Sequence, residues 1–180
     1  MHCCGIKKVR NMNRSWVFSY GSNMDLEDLR EWLIRHRFEE IKRLINQLRR
    51  TGVIAVLRGQ RVVFNHISQG RGGGTCNIEK CEEESIYGIA YYIDEKFIEI
   101  FDKKEGYPIS HTRDLFQITL IKGNNNEEYV NAWVYYATPE KIDKTLKPTI
   151  KYKNVVIKGA KHWGLPPEYI KKLEKIPTLD

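Results

Sequence analysis

The sequence predicts one α+β domain built on a curved, mixed β-sheet or small barrel. Three observations lead there. The order of strand and helix signals, β-α-α-β-β-β-α-β-β-α-α-α, breaks the alternation that a doubly wound parallel sheet requires. The chain has 180 residues, a length that suits one domain and buries roughly 70% of the surface its unfolded form exposes. Hydrophobic residues make up 41% of it, enough for a core without disulfides or metal, and no repeat or long linker divides it.

Taken in order, Met1–Ser15 is a polar, basic tail expected to be weakly ordered, and 16–180 is expected to be the single domain. Trp16–Tyr20 is an aromatic and β-branched run that reads as a buried strand, and Gly21-Ser22-Asn23 turns it. Asp25 is placed to cap a helix, with Glu27 and Asp28 in the first turn, where the macrodipole favours negative charge. Leu26, Leu29 and Leu33 recur at helical spacing. A second amphipathic helix is expected from about Phe38 to Leu48, with Ile41, Leu44 and Ile45 on one face, stopped at Thr51-Gly52.

Val53–Leu57 and Gln60–Phe64 read as two strands separated by Arg58-Gly59. Asn65–Thr75, rich in glycine, reads as a flexible loop bordering a pocket. Ile86–Ile93 is a strand, with Gly88 marking a bulge or a close backbone approach. Asp94 is placed to cap a short helix whose apolar face is Phe97, Ile100 and Phe101, ending in Lys103-Lys104-Glu105-Gly106. Leu115–Lys122 and Tyr129–Tyr136 alternate as antiparallel strands joined by Gly123-Asn124-Asn125-Asn126. Thr138-Pro139 opens a further helix, Tyr152–His162 another closed by Gly164, and Pro166-Pro167 a last one through Leu173.

Composition excludes several classes of function. No apolar run approaches the ~18–20 residues that cross a bilayer, and Met1–Arg14 has no apolar stretch of signal-peptide length, so a cytoplasmic protein is expected. Cys3 and Cys4 are adjacent, and Cys76 and Cys81 are too widely spaced for paired zinc ligands, so no metal is expected. The net charge of +7 leaves anionic partners open. The excess is spread out, however, with 15 basic and 10 acidic residues in 1–90 and 15 and 13 in 91–180. A nucleic-acid surface would gather its cations on one face, so no nucleic-acid or membrane partner is expected.

Three constellations could carry chemistry. The strand-turn-helix at Tyr20-Gly21-Ser22-Asn23 would aim backbone N–H groups, two polar side chains and a phenol at one spot; equally, it fits an ordinary tight turn. Glu105, beside Gly106 and Pro108 just past a helix, could act as a general acid and base if its surroundings desolvate it. Gly70–Gly74, with Arg71 inside it, lacks both the phosphate-loop and the dinucleotide spacing. Cys76 with His66 or His111 would make a thiol–imidazole pair, although no sequence feature brings them together.

Together these pieces resemble the γ-glutamylcyclotransferase family. The resemblance runs through Val17-Phe18-Ser19-Tyr20-Gly21-Ser22-Asn23-Met24, Val63-Phe64-Asn65, Tyr87-Gly88-Ile89-Ala90 and Phe101-Asp102-Lys103-Lys104-Glu105-Gly106-Tyr107. It continues in Tyr152, Lys158-Gly159-Ala160-Lys161 and Gly164-Leu165-Pro166, spanning Trp16 to about Ile176. It implies a twisted mixed barrel of about five to six strands flanked by helices. The activity it implies is release of 5-oxoproline from a γ-glutamyl amino acid or amine, without cofactor or metal. The substrate's α-amine attacks its own γ-carbonyl, so the reaction needs little beyond positioning and proton transfer.

The resemblance further implies Glu105 as the catalytic base and acid. Gly21, Ser22, Asn23 and Met24 would hold the glutamyl group, Tyr20 and Tyr152 would line the pocket, and Asn65 and Asn77, with Cys76, would form its wall. Two features depart from the family pattern: His111 stands six residues after the glutamate where a Tyr is common, and an added helical segment lies around 34–50, strongest over Phe38–Arg50. That segment could cover the barrel, form a dimer face or lie over the active site. The expected partner is a small γ-glutamyl molecule, and the chain a monomer or homodimer. The alternatives are a tailoring enzyme that removes a γ-glutamyl group from a larger acylated amine, and a non-catalytic metabolite-binding module.

Overall fold

The computed structural model describes residues 13–123 and 126–179, and the side chain of Asn126 is outside the description. The strand β1 covers Arg14–Ser19, β2 Val53–Ser68, β3 Gly73–Asp94, β4 His111–Lys122 and β5 Asn126–Ala137. They close into a five-stranded barrel in the order β1-β3-β2-β4-β5. Every pairing is antiparallel except the one that closes the ring, where β1 runs parallel to β5 with Trp16 opposite Ala132. The mixed α+β barrel expected from the sequence is the observed architecture.

The two long strands differ from expectation. Val53–Leu57 and Gln60–Phe64 belong to one strand, with the register shifting across Gly59, which sits at φ +73°. A positive φ is where glycine serves a bulge and other residues are strained, so the apparent breaker is a bend within a strand. Asn65–Ser68 continues that strand, Gln69–Arg71 forms a short 3₁₀ turn, and β3 begins at Gly73. Cys76, Asn77 and Cys81 are therefore strand residues and not loop residues. Gly74 is required by contact: a Cβ there would lie 2.1 Å from the Phe64 carbonyl oxygen. Strand β1 begins at Arg14, inside the stretch read as a tail, and Arg14 and Ser15 pair with Asp94 and Ile93. The rest of that tail, residues 1–12, lies outside the described residues, as do Asn124 and Asn125 of the expected β4–β5 turn.

Among the described residues, five α-helices surround the barrel: α1 Leu26–Arg35, α2 Ile41–Thr51, α3 Ile98–Glu105, α4 Ile150–Trp163 and α5 Pro167–Glu174. Asp25 caps α1, its side chain accepting from the backbone N–H of Glu27 at 3.0 Å and of Asp28 at 3.4 Å. That satisfies two of the donors a helix start leaves open. Helix α2, the core of the added segment, buries Leu44, Ile45 and Leu48 and covers the barrel wall at β3. Asp94 does not cap a helix with its side chain. It is a buried carboxylate at the end of β3, accepting from Arg14 at 2.9 Å, Gln47 at 2.9 Å and Arg43 at 3.1 Å, and so tethers α2 to the barrel.

Helix α3 stops where Gly106 takes φ +66°, making Glu105 its last residue. The Tyr107 N–H returns to the Asp102 carbonyl at 2.9 Å, which satisfies one carbonyl the helix end exposes. Helix α4 lies directly on the turn after β1. A Cβ on Gly159 would stand 2.7 Å from both the Asp25 nitrogen and the Met24 carbonyl carbon. Only a residue without a side chain allows that approach.

Candidate active site

The turn after β1 is a 3₁₀ segment, Ser22–Met24. Its carbonyls are held from outside, Asn23 O by the Tyr91 hydroxyl at 3.1 Å and Met24 O by the Trp163 indole N–H at 2.9 Å. With the backbone fixed, the Asn23 side chain reaches the end of α3. Its Nδ2 donates to Glu105 Oε1 at 2.7 Å. Its Oδ1 is buried with no hydrogen-bond partner in the protein, a position that suits acceptance from a donor on a bound molecule.

The Glu105 side chain is 19% exposed and lines a cleft of about 990 Å³. Burial alone would raise its pKa, but Lys104, His111, the Asn23 hydrogen bond and His66 together outweigh it, so the carboxyl lies below its usual value. It is therefore ionised at neutral pH. Burial in turn lowers the pKa of Lys104, whose ammonium sits 5.7 Å from the Trp32 ring centre.

His111, where the family pattern has Tyr, places Nδ1 at 2.7 Å from the Glu105 backbone oxygen. A carbonyl only accepts, so Nδ1 carries the proton. The His66 ring packs at a tilt against His111, with ring centres 4.1 Å apart, and its ring nitrogens contact Thr75 Oγ1 at 2.6 Å and Ser110 Oγ at 2.9 Å. Burial, then the neighbouring His111, lower its pKa to about 4, so it is neutral at pH 7.

Behind the cleft runs a brace. The Tyr20 hydroxyl donates to the Tyr135 carbonyl at 2.6 Å, and the Tyr135 hydroxyl donates to Asp102 Oδ1 at 2.6 Å. Asp102 also pairs with Arg113 at 2.8 Å. Tyr152 accepts from the Cys76 N–H at 3.2 Å. Burial raises both Tyr20 and Tyr152 well above the ordinary phenol value, so both remain protonated. Gly21 faces this pair, since a Cβ there would meet Cys76 Cβ at 3.1 Å and the Tyr152 oxygen at 3.4 Å.

The cleft thus brings together Glu105, Tyr20, Gly21, Ser22, Asn23 and Tyr152, with Cys76 beside them. It does not bring in Met24, Asn65 or Asn77. Met24 is fully buried, and its N–H is spent on Gly21 O at 3.1 Å. Asn77 donates to Asn65 at 2.9 Å and accepts from the Ala137 N–H at 2.9 Å, while Asn65 donates to Glu79 at 3.0 Å. These two amides tie β2, β3 and β5 together. The thiol–imidazole reading of Cys76 also fails chemically, because burial pushes its pKa up to about 12.

Sequence reasoning did not assign the charged lining. Arg35, Lys103, Lys104, Lys141, Lys151 and Arg71 all border the cleft, against Asp28, Glu31 and Glu105. They come from separate elements, and one signal was available: a lone arginine within a glycine-rich turn. Of the added segment 34–50, Arg35 and His36 border the cleft and residues 38–50 do not; α2 within it packs on β3.

Residues 85–173 match the model of the AIG2-like family. A protein of Danio rerio named gamma-glutamylaminecyclotransferase B is 35% identical over 81 residues, 42% of each chain. The matched stretch thus spans about two-fifths of that relative's length. A solved structure named gamma-glutamyl cyclotransferase superposes with a TM-score of 0.70 at 21% identity, covering 93% of this chain and 90% of that one. An uncharacterised protein from Homo sapiens gives 0.69 at 21% identity, with the same coverage. The chain is γ-glutamylcyclotransferase-like in fold, and the segment that contains Glu105 is AIG2-like.

Proposed function

We infer that the chain is a cyclotransferase that releases 5-oxoproline from γ-glutamyl amino acids or amines. The observation that carries this reading is Glu105, ionised, partly desolvated and held at 2.7 Å by Asn23 inside a large cleft. In the proposed reaction the carboxylate takes a proton from the substrate α-ammonium. The freed amine attacks the γ-carbonyl carbon and forms the lactam C–N bond. The tetrahedral intermediate then collapses: the Glu105 carboxyl returns its proton to the leaving nitrogen as the bond to that nitrogen breaks, and the second proton of the attacking nitrogen passes through the same carboxylate to the freed amine, so that a neutral lactam and an ammonium product leave.

A carboxylate of lowered pKa is a weak base for an ammonium group, so the proton transfer is uphill. The intramolecular attack offsets this, because curling the substrate removes much of the entropic cost before reaction. The unpartnered Asn23 Oδ1 suits an ammonium N–H beside Glu105 and would keep the amine near its base. Tyr20, Gly21, Ser22 and Tyr152 would surround the glutamyl group. Met24, Asn65 and Asn77 would act from behind, through the backbone and strands they hold. A cleft of about 990 Å³ leaves room for a leaving group of amino-acid size or larger.

The test is to incubate the protein with a panel of γ-glutamyl amino acids and γ-glutamyl amines and to measure 5-oxoproline. Product is expected from at least one of them, with loss of about 10²–10⁴-fold in Glu105→Gln. Unchanged turnover in that variant overturns the assignment.

A further inference from the structure

Arg71 projects into the cleft from the turn between β2 and β3 and meets α1. Its two terminal nitrogens donate to the two oxygens of Asp28 at 2.9 and 2.5 Å. The side chains are 24% and 12% exposed, and the guanidinium carbon lies 5.4 Å from the Tyr152 ring centre. Thr149, the cap of α4, donates to the Arg71 carbonyl at 3.5 Å. The arginine is thus held at its head and at its backbone. Its fork has five N–H donors, of which the pair with Asp28 uses two.

The surrounding lining carries six cationic side chains against three acidic ones. A γ-glutamyl amino acid brings two carboxylates and one ammonium, a net charge of −1. A γ-glutamyl derivative of a simple alkylamine is neutral overall, and one of a diamine is positive. A cleft with a cationic excess favours the first. Among the cations, Arg71 is the one fixed by a bidentate partner and an aromatic face, which leaves little rotamer entropy to lose on binding.

We propose that Arg71 is a specificity residue that receives the carboxylate of the leaving amino acid, so that γ-glutamyl amino acids are preferred to γ-glutamyl amines. Asp28 holds the guanidinium in place, and the remaining donors take the incoming carboxylate. This assignment rests on the cyclotransferase reading above.

The decisive pair is γ-glutamylalanine and γ-glutamylethylamide, which differ only by the leaving-group carboxylate. Wild-type kcat/KM is expected to favour the first by about tenfold or more, the size of one charge-assisted hydrogen bond. Arg71→Gln should lower that ratio by about tenfold or more, and Arg71→Lys, which keeps the charge without the fork, should fall between. Equal losses on both substrates would assign Arg71 to the glutamyl carboxylate and overturn the proposal, as would a wild-type ratio near one. If neither compound is turned over, the wider panel tests the reaction reading. Calorimetric affinities of the same two compounds then decide: carboxylate-dependent binding lost in Arg71→Gln supports the site, and equal binding refutes it. Should Arg71→Gln unfold because Asp28 is orphaned, the double variant with Asp28→Asn carries the same comparison.

Discussion

The Asn23 amide and the Glu105 carboxylate stand 82 positions apart in the chain and meet at 2.7 Å. The contact joins the turn after β1 to the last residue of α3, and it helps keep the carboxyl ionised.

Asn23→Asp should replace that donor with a second carboxylate at the same spot. Two carboxylates so close cannot both ionise near neutrality, and Glu105 would lose its free-base form. A fall in kcat/KM of about 10²-fold is expected, with the acid limb of the pH–rate profile displaced upward. Asn23→Ala should move the limb in the same direction by less, since it removes a stabilising hydrogen bond without adding charge. An unmoved limb in both would show that the contact does not tune Glu105.

His66 predicts an acid-sensitive contribution to stability. Its pKa falls from an ordinary 6.5 to about 4 in the fold. Between those values the unfolded chain binds more protons than the folded one. Stability that is present above pH 6.5 is therefore lost as pH drops towards 4. Melting temperatures of wild type and His66→Gln should differ most at pH 7 and converge on acidification. A constant difference would contradict this.

Gly159→Ala should disturb the site from behind. The new methyl would stand 2.7 Å from Asp25 N and Met24 C, forcing α4 off the turn. Overpacking of this kind costs about 1–3 kcal/mol, or roughly 2–4 °C in Tm per kcal/mol for a chain of this length. Turnover should fall as well, because Asn23 rides on the same turn. Retained turnover with a lowered Tm would mean that the turn does not follow α4.

Cys76 and Cys81 should behave differently towards alkylating reagents. Cys76 is buried, with its thiol pushed up to about 12, whereas Cys81 is partly exposed. At pH 8 in the native state, peptide mapping should find Cys81 modified and Cys76 protected until denaturant is added. Rapid native labelling of Cys76 would revive it as a nucleophile.

Local chemistry made part of this structure readable in advance. Asp25 announces α1 because a cap is a contact within three residues, and Gly164 and Pro167 punctuate α4 and α5 for the same reason. The pairing of turn and glutamate was legible only through the family resemblance. Gly59 misled because a bulge and a loop demand the same residue, and only the partner strand distinguishes them; Gly70–Gly72 is a turn on the cleft, as expected, while Gly73 and Gly74 already belong to β3. Asn65 and Asn77 looked like pocket walls, but both spend their amides on cross-strand bonds. The Asp28–Arg71 bridge was invisible, since neither residue's neighbours in sequence hint at the other.

The parallel β1–β5 contact that closes the barrel has a consequence for the life of the protein during synthesis. The turn bearing Asn23 leaves the ribosome early, but Glu105 follows 82 residues later and Tyr135, which holds Tyr20, 115 residues after its partner. Trp163 reaches Met24 only after 139 residues. Contacts of such separation form late and carry the largest loop-closure cost. The turn at Asn23 is therefore made long before the residues that meet it and hold it, and its surroundings are complete only once Trp163 has been made.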